Sequence, residues 1–437
     1  MNYKSIRNKF SIILQSILNL KDDYSFIGRF LVFGYQSFYS IIFKIEKKIL
    51  LLKNRLKYGK LYFDEIYWIE PKKIQYLSKR RYNKWFDYSR ILGGDWDLST
   101  YRFEDDLMFR AFKQRFNKGK NWEDTEYYKQ GIKIWGYNKK KMDNMFRAFE
   151  LIYYEIKKNG YKLKRELSSY KRGFKNFNFQ TMLDEISVDI GRDGQFLVLH
   201  GKHRLAISQL LDIPRIPVII IKRHKKWMYF RRDLIFLFRN YQNNKHDHVL
   251  NHPDLQNIPF KQGNIPFNII RENISISRGT LLDINANLGY FCHKFEDEGF
   301  NCYASEENKL LRYLLTKLKM VENKKFKIIK EPILNYKDDQ EITFDVVLAL
   351  KKFQDFIKRE DTYVGLIKFL KRLRVKELII GIHNSRDFQN KNFYQNCTPE
   401  AFISFILENS CLNKARLISK TKNDRYIYKL TSENLSS

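Results

Sequence analysis

Two short runs hold the side chains best suited to chemistry. The first, Gly201-Lys202-His203-Arg204, stands between a strand pattern at Phe196–Leu199 and a helical one at Leu205–Leu211. A glycine at such a corner lets main-chain N–H groups approach an anion, and the helix start adds its partial positive charge. Lys202, His203 and Arg204 contribute donors, the arginine as a bidentate phosphate fork. Upstream, the turn Gly191-Arg192-Asp193-Gly194 offers a further cation in Arg192. Asp184 and Glu185, just before the strand that ends at Ile190, are the carboxylate pair near enough in sequence for metal or general-base work, so His203 and Glu185 are the candidate catalytic residues here. The second run, Asp283-Ile284-Asn285-Ala286-Asn287-Leu288-Gly289, follows the apolar strand pattern Thr280–Ile284. Glu306 ends the next strand 17 residues beyond Gly289, near the spacing of a ribose-binding acid.

These runs need different scaffolds. Around the first, the order is strand, turn, strand, glycine turn, helix and strand, the last at Ile216–Ile221. Before it, helical patterns occupy Glu104–Lys118, Trp122–Gln130, Lys139–Asn159 and Gln180–Asp184. Around the second, strands at Thr280–Ile284, Cys302–Ser305, Phe344–Leu350 and Glu377–Ile382 alternate with helices, the signature of a doubly wound parallel sheet. All six tryptophans precede residue 228 and all four cysteines follow residue 291. The expected fold is therefore multidomain α/β: a basic amphipathic region at 1–59, an α+β domain with helical elaboration at 60–236, a linker at 237–265 and a Rossmann-like domain at 266–437. His246, His248 and His252 of that linker read as solvated rather than as metal ligands, because no carboxylate or cysteine set completes a site. No metal site is expected.

The stretch from Ile186 to His224 resembles the ParB/sulfiredoxin superfamily through its Gly-x-His-Arg turn. Sulfiredoxin-like members carry a redox cysteine in that turn; Lys202 stands at its position, which argues against that activity. In ParB-like members the turn holds nucleotide phosphates, and some relatives are small-molecule kinases. The resemblance thus implies a nucleotide with Mg²⁺, held by Arg192, Gly201, Lys202, His203 and Arg204. It also joins Gly93-Gly94-Asp95-Trp96-Asp97 and Trp122-Glu123-Asp124-Thr125 into one unit spanning 60–235.

The C-terminal run resembles the class I S-adenosylmethionine-dependent methyltransferases, whose first motif is Asp-x-Gly-x-x-x-Gly. That resemblance implies S-adenosylmethionine as cofactor, with Asp283, Asn285, Asn287, Gly289, Glu306 and Asp345 as the cofactor-binding residues. Asn285 replaces the first motif glycine, and asparagine tolerates positive φ better than most residues. Lys351-Lys352 follow the fourth strand and suit an anionic acceptor, while His293 and Asp355 read as structural.

Charge bears on the partner. The chain has 437 residues and a formal net charge of +32, of which 24 fall before residue 237, densest at Lys222-Arg223-His224-Lys225-Lys226. An apolar fraction of 43% excludes a disordered polycation. A phosphate-bearing or glycan-type acceptor is the first expectation, nucleic acid the second and an anionic membrane surface the third, the last through residues 25–57, which mix apolar and basic residues without a clean spanning helix. Cysteines without a C-x-x-C pair, and no secretory signal pattern, point to a cytoplasmic protein.

Overall fold

A computed structural model describes residues 48–58, 65–78, 88–98, 101–134, 136–163, 166, 185–240, 250–258, 266–337, 340–350, 353–383, 398–420 and 425–432. The apolar stretch 25–43, the helical pattern at Gln180–Asp184, His246, His248 and Lys351-Lys352 lie outside these residues.

After helix α1 (residues 48–58), the first domain builds a six-stranded mixed sheet from β1 (Tyr67–Ile69), β2 (Ile74–Leu77), β3 (Arg90–Leu92), β4 (Ile186–Ile190), β5 (Phe196–His200) and β6 (Ile216–His224). The order is β1-β6-β4-β5-β2, with β3 also paired to β6. Between β3 and β4 come α2 (Leu107–Lys118), α3 (Glu126–Lys133) and α4 (Lys139–Asn159). Their ends are written locally. Asp106, Thr125 and Asn138 accept main-chain N–H groups at the three N-termini, left-handed Gly119 follows α2, and Gly160, extended at φ 72°, follows α4. The helices pack through aromatic rings, Phe112, Phe116, Trp122, Phe146 and Phe149 among them. Helix α5 (Lys202–Leu210) follows β5, and α6 (Lys225–Asn240) follows β6 without a break.

Strand β6 carries an irregularity that decides where its charges go. Val188 pairs with Ile220 but Ile190 pairs with Arg223, so β6 has one residue too many for β4. Such a bulge shifts the pleat by one. Ile216, Val218 and Ile220 enter the main core, and beyond the bulge Arg223 rather than Lys222 points the same way, onto Asp254. Lys222 and His224 fall on the other face with Asp189 and Trp96. Lys222, Arg223 and His224 are all buried, so of the densest basic run only Lys225 and Lys226 reach the surface.

The second domain begins with α7 (Phe267–Asn273) and alternates β7 (Thr280–Ile284), α8 (Tyr290–Asp297), β8 (Asn301–Ser305), α9 (Lys309–Val321), β9 (Lys327–Ile329), β10 (Ile342–Ala349), α10 (Phe353–Phe356), α11 (Glu360–Arg372), β11 (Leu373–His383), α12 (Pro399–Glu408), β12 (Lys414–Lys420) and β13 (Arg425–Thr431). The sheet runs β12-β13-β11-β10-β7-β8-β9, with β7 to β11 parallel and β13 antiparallel to both its neighbours. Chain direction therefore reverses its lateral progress between β7 and β10, the place where an open α/β sheet leaves a crevice at its strand ends.

The halves share a core. Leu288, Leu314 and Leu318 cluster with Trp227, Phe230 and Leu255 of the first half. Lys317 on α9 is ion-paired with Asp193, and the main-chain N–H of Asn251 donates to Glu322 at 3.1 Å. Residues 250–258 are thus part of the first domain's packing, not a free linker. His252 is buried, stacked on Phe196 at 4.7 Å and bonded to Gly194 O at 3.0 Å, so the reading of a solvated histidine is corrected.

Candidate active site

The Gly201 corner is built as its sequence requires. Gly201 has φ 83° and begins α5; a Cβ there would lie 2.9 Å from Ile186 Cγ1 and 3.0 Å from its Cα, so strand and helix meet without room for a side chain. The side chains around it are committed to their own domain. Arg204 Nη1 donates to Tyr161 OH at 2.9 Å and to Glu185 Oε2 at 3.1 Å, and Glu185 is buried. Lys202 Nζ sits 3.3 Å from Asp106 Oδ2. His203 lies nearly flat on Phe149, centroids 4.2 Å apart, and burial pushes its pKa down to about 4. Arg192 forks onto the Gly94-Asp95-Trp96-Asp97 turn. Its Nε donates to Asp97 Oδ2 at 3.0 Å and its Nη2 to Gly94 O at 2.9 Å, Asp95 Oδ1 at 2.7 Å and Asp97 Oδ1 at 2.8 Å. Burial of Asp97 opposes its ionisation, but the Arg192 bonds outweigh it and hold the carboxyl below its ordinary range.

The expectation that Arg192, Lys202, His203 and Arg204 present donors to a phosphate is therefore corrected: each is held by carboxylates, a phenol or an aromatic ring. Glu185 is the counter-ion of Arg204, not a poised base, and neutral His203 is packed among aromatic rings rather than paired with Glu185 for catalysis. A buried guanidinium without its counter-charge is costly, which explains why these pairs form.

In the second domain the loop after β7 takes three left-handed residues in alternation, Asn285 at φ 63°, Asn287 at φ 53° and Gly289 at φ 80°. Asparagine thus fills the conformation expected of the motif glycine at 285. At 289 a Cβ would be strained at φ 80° and would come 2.5 Å from Leu315 Cδ1, so the buried Leu315 would have to move. Glu306, at the end of β8, is 2% exposed and grips the loop: Asn287 N–H donates to Oε2 at 2.9 Å, and Asn308 N–H donates to Oε1 at 2.8 Å. Asn308 in turn caps α9. Asp283, Ile284, Asn285, Ala286, Asn287, Tyr290, Phe291 and Leu350 line a cleft of about 20 Å³ at this strand end, between β7 and β10. That is room for one water.

Asp345 does not belong to the cleft. Its carboxylate accepts from Thr280 N at 2.8 Å and Thr280 Oγ1 at 2.9 Å, at the first residue of β7, with Lys376 Nζ 3.0 Å away. The pairing of Val346 with Leu281 and Leu348 with Asp283 puts it at the opposite end of the sheet, so its cofactor-binding role is corrected. His293 is buried behind the loop against Phe326, its ring nitrogens without a hydrogen-bond partner among the described residues, and burial lowers its pKa to about 4. Asp355 pairs with Lys358 on the surface.

Sequence reasoning missed Asp254, which binds Arg223 Nη2 at 2.6 Å and Trp227 Nε1 at 2.8 Å, and the Asp189–Lys222 pair, 3.5 Å apart under Trp96. A signal was present: two adjacent cations, Lys222 and Arg223, on an otherwise apolar strand demand buried acids nearby. Among the described residues no group of three or more His, Cys, Asp or Glu side chains is placed to hold a metal ion, and no helix is long and apolar enough to cross a membrane.

No protein family matches the chain and no curated protein matches it. Solved structures to which it is similar include an S-adenosylmethionine-dependent methyltransferase from Clostridium acetobutylicum, 13% identical over 38% of this chain and 90% of that one, with a TM-score of 0.31. The bifunctional kinase-methyltransferase WbdD is 13% identical over 45% of this chain and 46% of its own, TM-score 0.34. The glycopeptide N-methyltransferase MtfA, solved with S-adenosyl-L-homocysteine, is 11% identical over 38% and 88%, TM-score 0.29.

Proposed function

We propose that residues 266–437 form a methyltransferase domain that binds S-adenosylmethionine at the β7 strand end. The observation that carries this reading is the left-handed turn Asn285–Gly289, pinned by Glu306 at the point where the sheet changes direction. A dinucleotide-binding sheet continues with a parallel sixth strand. Here the strand beside β11 is β13, reversed and following β12 among the described residues, which favours the methyltransferase resemblance over a dinucleotide one.

The residues fit the cofactor by type. Left-handed backbone at 285, 287 and 289 allows close main-chain approach to a ligand, and Asp283 and Glu306 supply acids at adjacent strand ends. Bound there, S-adenosylmethionine supplies an electrophilic methyl group. Tyr290, Phe291 and Leu350 form the walls that exclude water, and they must part, since the cleft accommodates one water as it stands. No side chain here is required as a base; positioning the acceptor suffices. The acceptor in this reading is anionic or glycan-like, resting on the net charge of +32 and not on the Gly201 turn. The first domain is taken as a ParB/sulfiredoxin-like scaffold, with no nucleotide or Mg²⁺ assigned to it.

Calorimetric titration of the full chain with S-adenosylmethionine tests the proposal. Saturable heat that disappears in Asp283→Ala, with the variant still folded by circular dichroism, supports it. No heat at high protein concentration sinks it.

A further inference from the structure

Helix α1 meets its own domain along one side. Asn54 Nδ2 donates to Ser89 O at 3.0 Å, Tyr58 lies against Tyr229 with the rings tilted and their centroids 5.9 Å apart, and Leu51 packs beside Tyr88, Ile219 and Ile221. The opposite side carries three large aliphatic residues facing solvent, Ile49 at 61%, Leu52 at 58% and Leu56 at 80% exposed. At helical spacing these three fall within a stripe about 60° wide. Lys48 and Arg55 border the stripe on one side, Lys53 and Lys57 on the other, all four are exposed, and the segment holds no acid. An apolar ridge between two rows of cations is what a helix lying in a membrane interface needs: the ridge enters the acyl boundary while the long basic side chains reach the headgroups. The flanking cations also select the partner, because a protein groove matching the ridge would have to present acids along both its rims, whereas an anionic bilayer does so everywhere.

The same surface continues onto α6. Lys225 Nζ lies 5.6 Å and the Arg232 guanidinium 5.0 Å from the Tyr229 ring that touches Tyr58, and Phe236, 58% exposed, follows at the next turn of that face. Two exposed cations of α6, Lys225 and Arg232, thus stand beside α1.

We propose that α1 and the outer face of α6 dock the protein onto an anionic lipid surface, with Ile49, Leu52 and Leu56 inserted and Lys48, Lys53, Arg55, Lys57, Lys225 and Arg232 on the headgroups. The test is co-flotation of the full-length chain with vesicles of phosphatidylcholine containing 30% phosphatidylserine, compared with phosphatidylcholine alone, and with the double variant Leu52→Glu/Leu56→Glu. Expected is flotation with the anionic vesicles, little with the neutral ones, weakening of about five-fold for each of Lys53 and Lys57 changed to alanine, and loss in the double variant with an unchanged melting temperature. Flotation that is unchanged in the double variant overturns the proposal. So does a melting temperature lowered by several degrees in that variant, which means that the chain itself covers the ridge, or a change in its sedimentation, which means that a second copy does.

Discussion

Replacing Glu306 by glutamine separates two roles for the acid at the end of β8. Both carboxylate oxygens accept main-chain N–H groups, from Asn287 at 2.9 Å and Asn308 at 2.8 Å, in a site 2% exposed. Bonds to a charged acceptor contribute about 1.5–3 kcal/mol each. Glutamine keeps one carbonyl acceptor, made neutral, and turns an NH₂ toward the other N–H, so one bond becomes a donor–donor contact and the second weakens. The expected cost is about 3 kcal/mol. For a domain of this size that corresponds to roughly 6–12 °C in melting temperature. Differential scanning calorimetry of parent and variant, each with and without S-adenosylmethionine, reads both roles at once. The clamp predicts a large fall in the ligand-free protein; the cofactor reading predicts in addition that the ligand-induced rise of the parent is lost. A variant that melts within about 2 °C of the parent refutes the assignment of Glu306 as the brace of the loop.

Arg204→Ala leaves Glu185 buried without its partner and is expected to destabilise by about 3–5 kcal/mol, whereas the paired change Arg204→Met with Glu185→Leu recovers most of the loss in urea unfolding. Gly289→Ala sets a Cβ against Leu315 at φ 80° and is expected to lower the melting temperature more than Asn285→Ala does, while Asn285→Gly leaves it nearly unchanged. His252 gives a pH signature. Burial holds its folded pKa at about 4, while the unfolded chain titrates near 6.5, so its contribution is complete above about pH 6.5 and is lost as pH falls toward 4. The loss amounts to about 3 kcal/mol. The geometry agrees, since Nδ1 accepts from Asp254 N–H and Nε2 donates to Gly194 O, leaving no place for a second proton. In His252→Gln, stability measured between pH 7 and 4.5 is expected to fall less steeply than in the parent.

Local signals in the sequence carried the elements they control. The helix Lys139–Asn159 has its cap at Asn138 and its stop at Gly160, and both are used. The alternation of strands and helices after residue 279 produces the parallel sheet, and asparagine at 285 takes the left-handed conformation its type permits. What was not legible depends on partners far away in the chain. Arg192 and Asp97 are separated by 95 residues, so a cation beside a glycine turn reads the same whether its fork closes on a ligand or on the protein. The fate of Lys222, Arg223 and His224 hangs on one inserted residue in β6, which no periodicity announces. Asp345 sits on a correctly expected strand, but its end of the sheet is fixed by register with β7 alone.

Helix α9 limits how the chain can be divided. Its N-terminus is tied to the β7 loop through Glu306, and its Leu314 and Leu318 lie among side chains of the first domain. A fragment ending before residue 266 loses the partners of Trp227 and Leu255, and one beginning there carries an open apolar flank on α9. Unfolding either domain then strips apolar cover from the other, and fragments made to study either half separately are the ones most prone to aggregate.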